Sequence, residues 1–388
     1  MKKIYLDHNS STPVRREVIE AMMPYFSEFY GNASNVHYAG QQARSAIEQS
    51  RKKVADFLGA GPKEIIFTSG GTESNNLAIK GAAYALKDKG NHIITSAIEH
   101  HSVLNTCKNL ERKGFAITYL PVDEYGILDP ESARNAITDK TILITVMSAN
   151  NEVGAIQPIA DIGRIAREKG ISFHTDAVQA VGKISVDVKK LNVDFLALSG
   201  HKLYGPKGIG ALYIKEGASI RPRIHGGHHE MDLRAGTENV PGIVGLGKAL
   251  EIEGAVLKEE AARISKLRDH LEKGIRKNIE HVVVFGHPEK RTPNTVSASL
   301  KFVEGEAVIL GLDANGIAAS SGSACTTGSE DPSHVLGAMG VDAATARGSV
   351  RFSLGKDNTK EDIDHTLEVL VKIVSKLREM SPIYTKKG

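Results

Sequence analysis

Three short segments hold residue types whose chemistry could converge. The first, SGGTESN (69–75), joins an apolar run to a helix-like run. Its glycines let the backbone approach an anion closely, and a helix start offers N–H groups and a favourable dipole to negative charge. Thr72 adds a hydroxyl. The segment matches neither GxxxxGK[ST] nor GxGxxG, which disfavours ATP and dinucleotides. The second is Asp176, at the end of the apolar run in FHTDAVQ, where a carboxylate on its own reads as a helix cap. The third is Lys202, in SGHKLYGPKGIG, where the surrounding glycines and proline give a lysine a defined direction. An amine that bonds a carbonyl, an acid for a pyridinium nitrogen and a helix start for a phosphate are together what pyridoxal 5'-phosphate requires.

A fourth candidate is Cys325, in AASSGSACTTGSEDP, a run of small polar residues with neither helical nor strand period. A loop of that kind suits a thiol that must reach a cofactor site and an acceptor. An ordinary thiol is only a few per cent thiolate at neutral pH, so the site must supply a base or lower its pKa. On the residues alone, Cys325 could equally fill a gap in the core. Cys107 shares helical spacing with Leu104 and Leu110 and reads as a buried structural thiol.

Apolar, β-branched runs must position these groups. Helical spacing covers about 14–29 and 37–58, with Gly31 and Gly59 as stop signals. From EIIFTSG to GIGALYI, short apolar runs then alternate with helix-length segments. That order predicts an α/β fold with a mostly parallel, seven-stranded-type sheet between helices, and ligands bind at the carboxyl ends of such strands. Beyond Pro241 a long helical region leads to VVVF, TVSASL and SVRFSL with intervening helices, a smaller α+β unit. The expected organisation is a large cofactor-binding domain over 14–259 and a small domain made of 1–13 with 260–388.

Composition narrows the classes. The 388 residues include 49 Lys+Arg against 46 Asp+Glu, a net charge of +3, which provides no basic footprint for nucleic acid. A 41% hydrophobic share excludes wholesale disorder, and no apolar run approaches the ~20 residues of a bilayer span. The N-terminus lacks the apolar stretch of a signal peptide. Two cysteines fit a reducing, cytoplasmic setting. His225, His228 and His229 in HGGHHE suggest zinc, but no cysteine or carboxylate completes a familiar ligand spacing, so no metal is expected.

The motifs GGTESN, IEHHSVL, ANNEVG, DAVQ, SGHKLYGPKGIG, RAGTENVPG and SSGSAC follow in that order. With them the chain resembles the NifS/IscS-type cysteine desulfurases, of the fold-type I, class V aminotransferase-like pyridoxal-phosphate enzymes. The likeness runs from YLDHNSSTP to VRFSLG, and SGSAC separates desulfurases from ordinary aminotransferases. It implies that Lys202 holds the cofactor and moves protons, Asp176 pairs with the pyridinium nitrogen, and Gln179 contacts the ring hydroxyl. His100 would stack on the ring and act in acid–base steps. Gly71, Thr72, Ser199 and His201 would bind the phosphate, with Thr237 supplied across a homodimer. Asn151 would touch cofactor and substrate, and Arg351 would hold the substrate carboxylate, a task suited to its bidentate fork. Cys325 would accept sulfur.

The activity so implied converts L-cysteine to L-alanine, leaving a persulfide on Cys325 for acceptors in iron–sulfur cluster or thiolated-tRNA biosynthesis. The rivals are a selenocysteine lyase or pyridoxal-phosphate aminotransferase and, in another class, a non-catalytic dimeric binding module. His228 stands where the family more often has glycine. The chain also stops short of the C-terminal segment with which IscS-like members dock a scaffold protein, which leaves that partner open. No DNA or membrane partner is expected.

Overall fold

In the computed structural model, residues 2–321 and 333–381 and Tyr384 are described. Cys325 lies outside them. The apolar runs become strands β1 (Ile4–Tyr5), β2 (Ile65–Thr68), β3 (His92–Ser96), β4 (Ala116–Leu120), β5 (Thr141–Thr145), β6 (Ser172–Asp176), β7 (Phe195–Ser199) and β8 (Gly210–Ile214). Strands β2 to β8 form a seven-stranded sheet in the order β2-β8-β7-β6-β5-β3-β4. All pair in parallel except β8, which is antiparallel to both neighbours. The link from β7 to β8 is too short for the helical crossover that a parallel strand needs.

Helices cover both faces, and successive side chains in a strand choose between them. Ile66, Ile93, Leu143 and Phe195 pack with Leu77, Val103 and Cys107 of the helices Gly71–Ala85 and His101–Glu111. Ile65, Ile94, Ile144 and Leu196 pack on the other side with Ile47, Ile162 and Leu246. This two-sided burial is why the strands read as near-continuous apolar runs. Cys107 is fully buried there.

The helix Val240–Asn278 is 39 residues long and serves two cores. Ile243, Leu246 and Leu250 join the core of the large sheet, whereas Ile264, Leu271 and Ile275 join a second one. That second core lies on an antiparallel sheet of β9 (Val282–Phe285), β10 (Thr295–Leu300) and β12 (Ser349–Ser353), with β10 central. Ile4 and Leu6 belong to it, and β1 pairs in parallel with β11 (Ile317–Ala318).

Two local readings change. The stretch 14–29 is two helices, Arg16–Met22 and Pro24–Ser27, because Pro24 cannot donate the N–H that would continue the first. Gly31 ends no helix. A Cβ there would lie 2.3 Å from Ala39 O, so the glycine permits close passage of the chain before the helix Tyr38–Leu58. Gly59 does stop that helix, in the left-handed conformation at φ 71°.

Candidate active site

The carboxyl ends of the central strands meet at a cavity of about 370 Å³. Strand β2 runs through Thr68 to the helix at Gly71, and β3 leads through Glu99 to His100, which caps the next helix. Strand β6 ends on Asp176. Strand β7 ends on Ser199, and a 3₁₀ turn, Gly200–Lys202, brings His201 and Lys202 over the opening. Gly71, Thr72, His100, Asp176 and Gln179 line the cavity, as do Asn151, Ser199, His201, Lys202 and Arg351. Residues far apart in the chain therefore share one space, as the doubly wound geometry requires. Thr237 is exposed and does not line it, and neither does the HGGHHE segment. His228 Nδ1 instead meets Asp232 Oδ1 at 2.6 Å on the surface.

Asp176 is buried and held by donors: Asn75 Nδ2 donates to Oδ2 at 2.7 Å and the Val178 N–H to Oδ1 at 3.0 Å. Asn75 Nδ2 also donates to Ser102 Oγ at 2.8 Å, and Ser102 Oγ lies 2.8 Å from His100 Nδ1. The Ser102 N–H donates to that same His100 Nδ1 at 3.1 Å. With Nδ1 an acceptor, the ring proton of neutral His100 sits on Nε2. Burial holds the His100 pKa below the ordinary histidine value, partly opposed by Asp176 and reinforced by Lys202. Burial and the Lys202 charge push His201 down to about 4.

Lys202 Nζ donates to the backbone oxygens of Asn9 at 2.5 Å and Ser10 at 2.6 Å. Arg351, 2% exposed, crosses from the small sheet. Its Nη1 donates to Asn151 O at 2.9 Å, and its Nη2 to Asp7 Oδ1 at 2.8 Å and Ser10 Oγ at 2.9 Å. Its Nε is buried without a hydrogen-bond partner among the described residues, a donor available to an incoming anion.

The family model described as Aminotransferase class-V matches residues 4–366. A protein of Methanosarcina thermophila named "Cysteine desulfurase IscS" is 56% identical over 385 residues, 99% of this chain and 95% of that one. One of Dictyoglomus turgidum with the same name is 52% identical over 381 residues, 98% and 97% of the two chains. A solved structure titled "NIFS-LIKE PROTEIN" superposes with a TM-score of 0.92 at 41% identity, covering 97% of this chain and all of that one. The chain belongs to the class-V aminotransferase family.

As a class-V aminotransferase it is a pyridoxal-phosphate enzyme, and the residues present fit that cofactor. Gly70, at φ 152°, and Gly71 start the helix that faces the cavity, and a Cβ on Gly71 would come within 2.7 Å of Val178 Cγ2. Side chains there would close the space over the helix N–H groups where a phosphate would lie. A buried acid at Asp176 and an amine at Lys202 face the same cavity.

Sequence reasoning did not single out Asn9, Ser10, Asn75, Ser102, Glu152 and His334, which also line it. Asn75 had a signal, since it follows Thr72 by three residues and so shares its helix face. Asn9 and Ser10 had none beyond polarity, because long-range pairing carries them to the cavity: β1 with β11, and Asp7 and His8 with Ser353.

Behind the site, burial pushes the Glu99 carboxyl up to about 8, although Ser96 Oγ and the Met147 N–H both donate to its Oε1. An acid whose folded pKa is raised stabilises the fold fully below its unfolded value of 4.5, and that contribution is lost as pH rises through about 8. Buried His8 and His174, lowered to about 4 and about 3, act oppositely below 6.5. Glu99→Gln is therefore expected to flatten the fall in Tm between pH 6.5 and 8, where each pH unit costs the parent about 1.4 kcal/mol per such carboxyl. Calorimetry at the two pH values checks this, and equal declines in parent and variant would mean that Glu99 is ionised in the fold.

Proposed function

We propose that the chain is a cysteine desulfurase converting L-cysteine to L-alanine with transfer of sulfur to Cys325. The observation that carries this is one cavity shared by Lys202, Asp176 and an Arg351 donor unpartnered among the described residues, in a chain so similar to proteins of that name. Pyridoxal phosphate, when bound, supplies an electron sink for bonds broken at the substrate's Cα and Cβ. Asp176, oriented by Asn75 and the Val178 N–H, would pair with the pyridinium nitrogen. Gly71, Thr72, Ser199 and His201 would take the phosphate, and Gln179 would contact the ring oxygen. Arg351 and Asn151 bind the substrate carboxylate.

Lys202 Nζ takes the Cα proton and later returns a proton, and His100 offers its Nε2 proton to the cavity. The Cys325 thiolate attacks the substrate sulfur: the S–S bond forms and the C–S bond breaks. The electron pair stays with the carbon skeleton, which takes up protons and leaves as L-alanine. The persulfide sulfur then passes to an acceptor in iron–sulfur cluster or thiolated-tRNA biosynthesis.

The same reading comprises a homodimer in which Thr237 completes the neighbour's phosphate site. It is supported by the exposure of Thr237 outside its own cavity and by exposed Met23, Phe26, Tyr30, Val36 and Tyr38. It also comprises the division into 14–259 and 1–13 with 260–388, supported by the two cores. No helix among the described residues is long and apolar enough to cross a membrane. A cytoplasmic location suits a thiol that must return to its reduced form.

The test is to supply L-cysteine and measure alanine together with added sulfur on each cysteine by mass spectrometry. Alanine and Cys325 persulfide in equal amounts in the first turnover, both lost in Cys325→Ser, are expected. Cys107, fully buried and with its thiol pushed up to about 12, stays unmodified. Undiminished alanine from Cys325→Ser would overturn the sulfur-transfer step, and a keto acid product would point to transamination.

A further inference from the structure

Four residues beyond Gln179, Lys183 turns its amine inward to two buried amides. Nζ donates to Asn9 Oδ1 at 2.9 Å and also to Gln179 Oε1. Gln179 Nε2 in turn donates to Asn9 O at 2.9 Å, the carbonyl that also receives Lys202 Nζ. Asn9 cannot turn to suit a different pattern. Its Nδ2 donates to Thr295 Oγ1 at 2.9 Å and Asn151 O at 3.1 Å, and its Oδ1 accepts from Asn294 Nδ2 at 2.9 Å. An amide presents an acceptor on one side and two donors on the other, and its neighbours decide which faces where. Turning Gln179 over would set its oxygen against Asn9 O and leave Lys183 without that acceptor.

We propose that Lys183 is a positioning residue for the cofactor: it holds the Gln179 amide so that the NH₂ group, not the oxygen, is presented to the ring oxygen of pyridoxal phosphate. This rests on the assignment of Gln179 to that oxygen. Burial, followed by the charges of Lys202 and Arg351, pulls the proton affinity of Lys183 well below the usual lysine range. Behind it a small cavity is lined by His8, Lys202, Tyr204, Glu253, Glu260 and Lys356. Protonated or neutral, the amine has hydrogens enough for both oxygens.

The test reads the visible absorbance of the holoenzyme against pH. A donor on the ring oxygen favours its ionised form, so losing that donor raises the midpoint of the titration. Gln179→Ala is expected to raise it by about one pH unit, since a hydrogen bond to a charged group contributes about 1.5 kcal/mol or more. Lys183→Met should raise it nearly as much, and Lys183→Arg, which still donates, should stay near the parent. In the Gln179→Ala background Lys183→Met should add nothing, because the lysine acts through that amide. Lys183→Gln, too short to reach both oxygens, provides the comparison if the methionine variant does not fold. An unmoved midpoint in Gln179→Ala would overturn the assignment of Gln179 and this inference with it. A shift in Gln179→Ala but none in Lys183→Met, or an equal shift by Lys183→Met in both backgrounds, would overturn the inference alone.

Discussion

Replacing Lys202 with alanine is expected to slow alanine formation from L-cysteine by at least about 10³-fold while leaving the fold in place. Moving a proton at a carbon is where a positioned base contributes most, typically about 10² to 10⁴-fold, and loss of covalent attachment adds to that. Nothing nearby can substitute. Lys183 is turned away to Asn9 Oδ1 and Gln179 Oε1, and burial keeps neutral His100 with its proton, rather than its lone pair, on Nε2. The variant should also fail to retain cofactor after borohydride treatment and dialysis, whereas the parent does. A rate within tenfold of the parent would remove Lys202 from the reaction.

Arg351→Gln should raise the KM for L-cysteine about 100-fold and lower stability by about 3 kcal/mol. The first figure is the loss of a charge-assisted bond to a carboxylate in a water-poor site. The second follows from leaving partly buried Asp7 without its charged partner at 2.8 Å, since removing one member of a largely buried pair costs more than the pair contributes. Steady-state kinetics and denaturant unfolding separate the two. A protein that loses stability but keeps its KM would make Arg351 a strut between the N-terminal strand and the small sheet, with no part in holding substrate.

Much of this arrangement was legible because it is local. Apolar runs covered on both faces are strands whatever follows them, and a glycine such as Gly59 stops a helix through its own backbone freedom. Pro24 is equally visible, and it breaks the helix although the apolar spacing runs on through it, so a proline outweighs spacing. The grouping of SGGTESN, Asp176 and Lys202 was legible for a different reason. In a parallel sheet every carboxyl end lies on the same side, so residues after successive strands must face one another.

Residue type and strand-end position suffice for the layered α/β architecture, the cofactor class and the candidates for its attachment, so these are local properties of the chain. Folding in three dimensions places Asn9 at the centre of the site, joined to Lys202, Gln179, Lys183 and Asn151 beside the large sheet and to Asn294, Thr295 and Ser353 at the small one. It also decides which way amides, imidazoles and guanidinium forks face. Asn75 and Arg351 are oriented by partners 101 and 344 residues away, and a hydrogen bond leaves no period in a sequence.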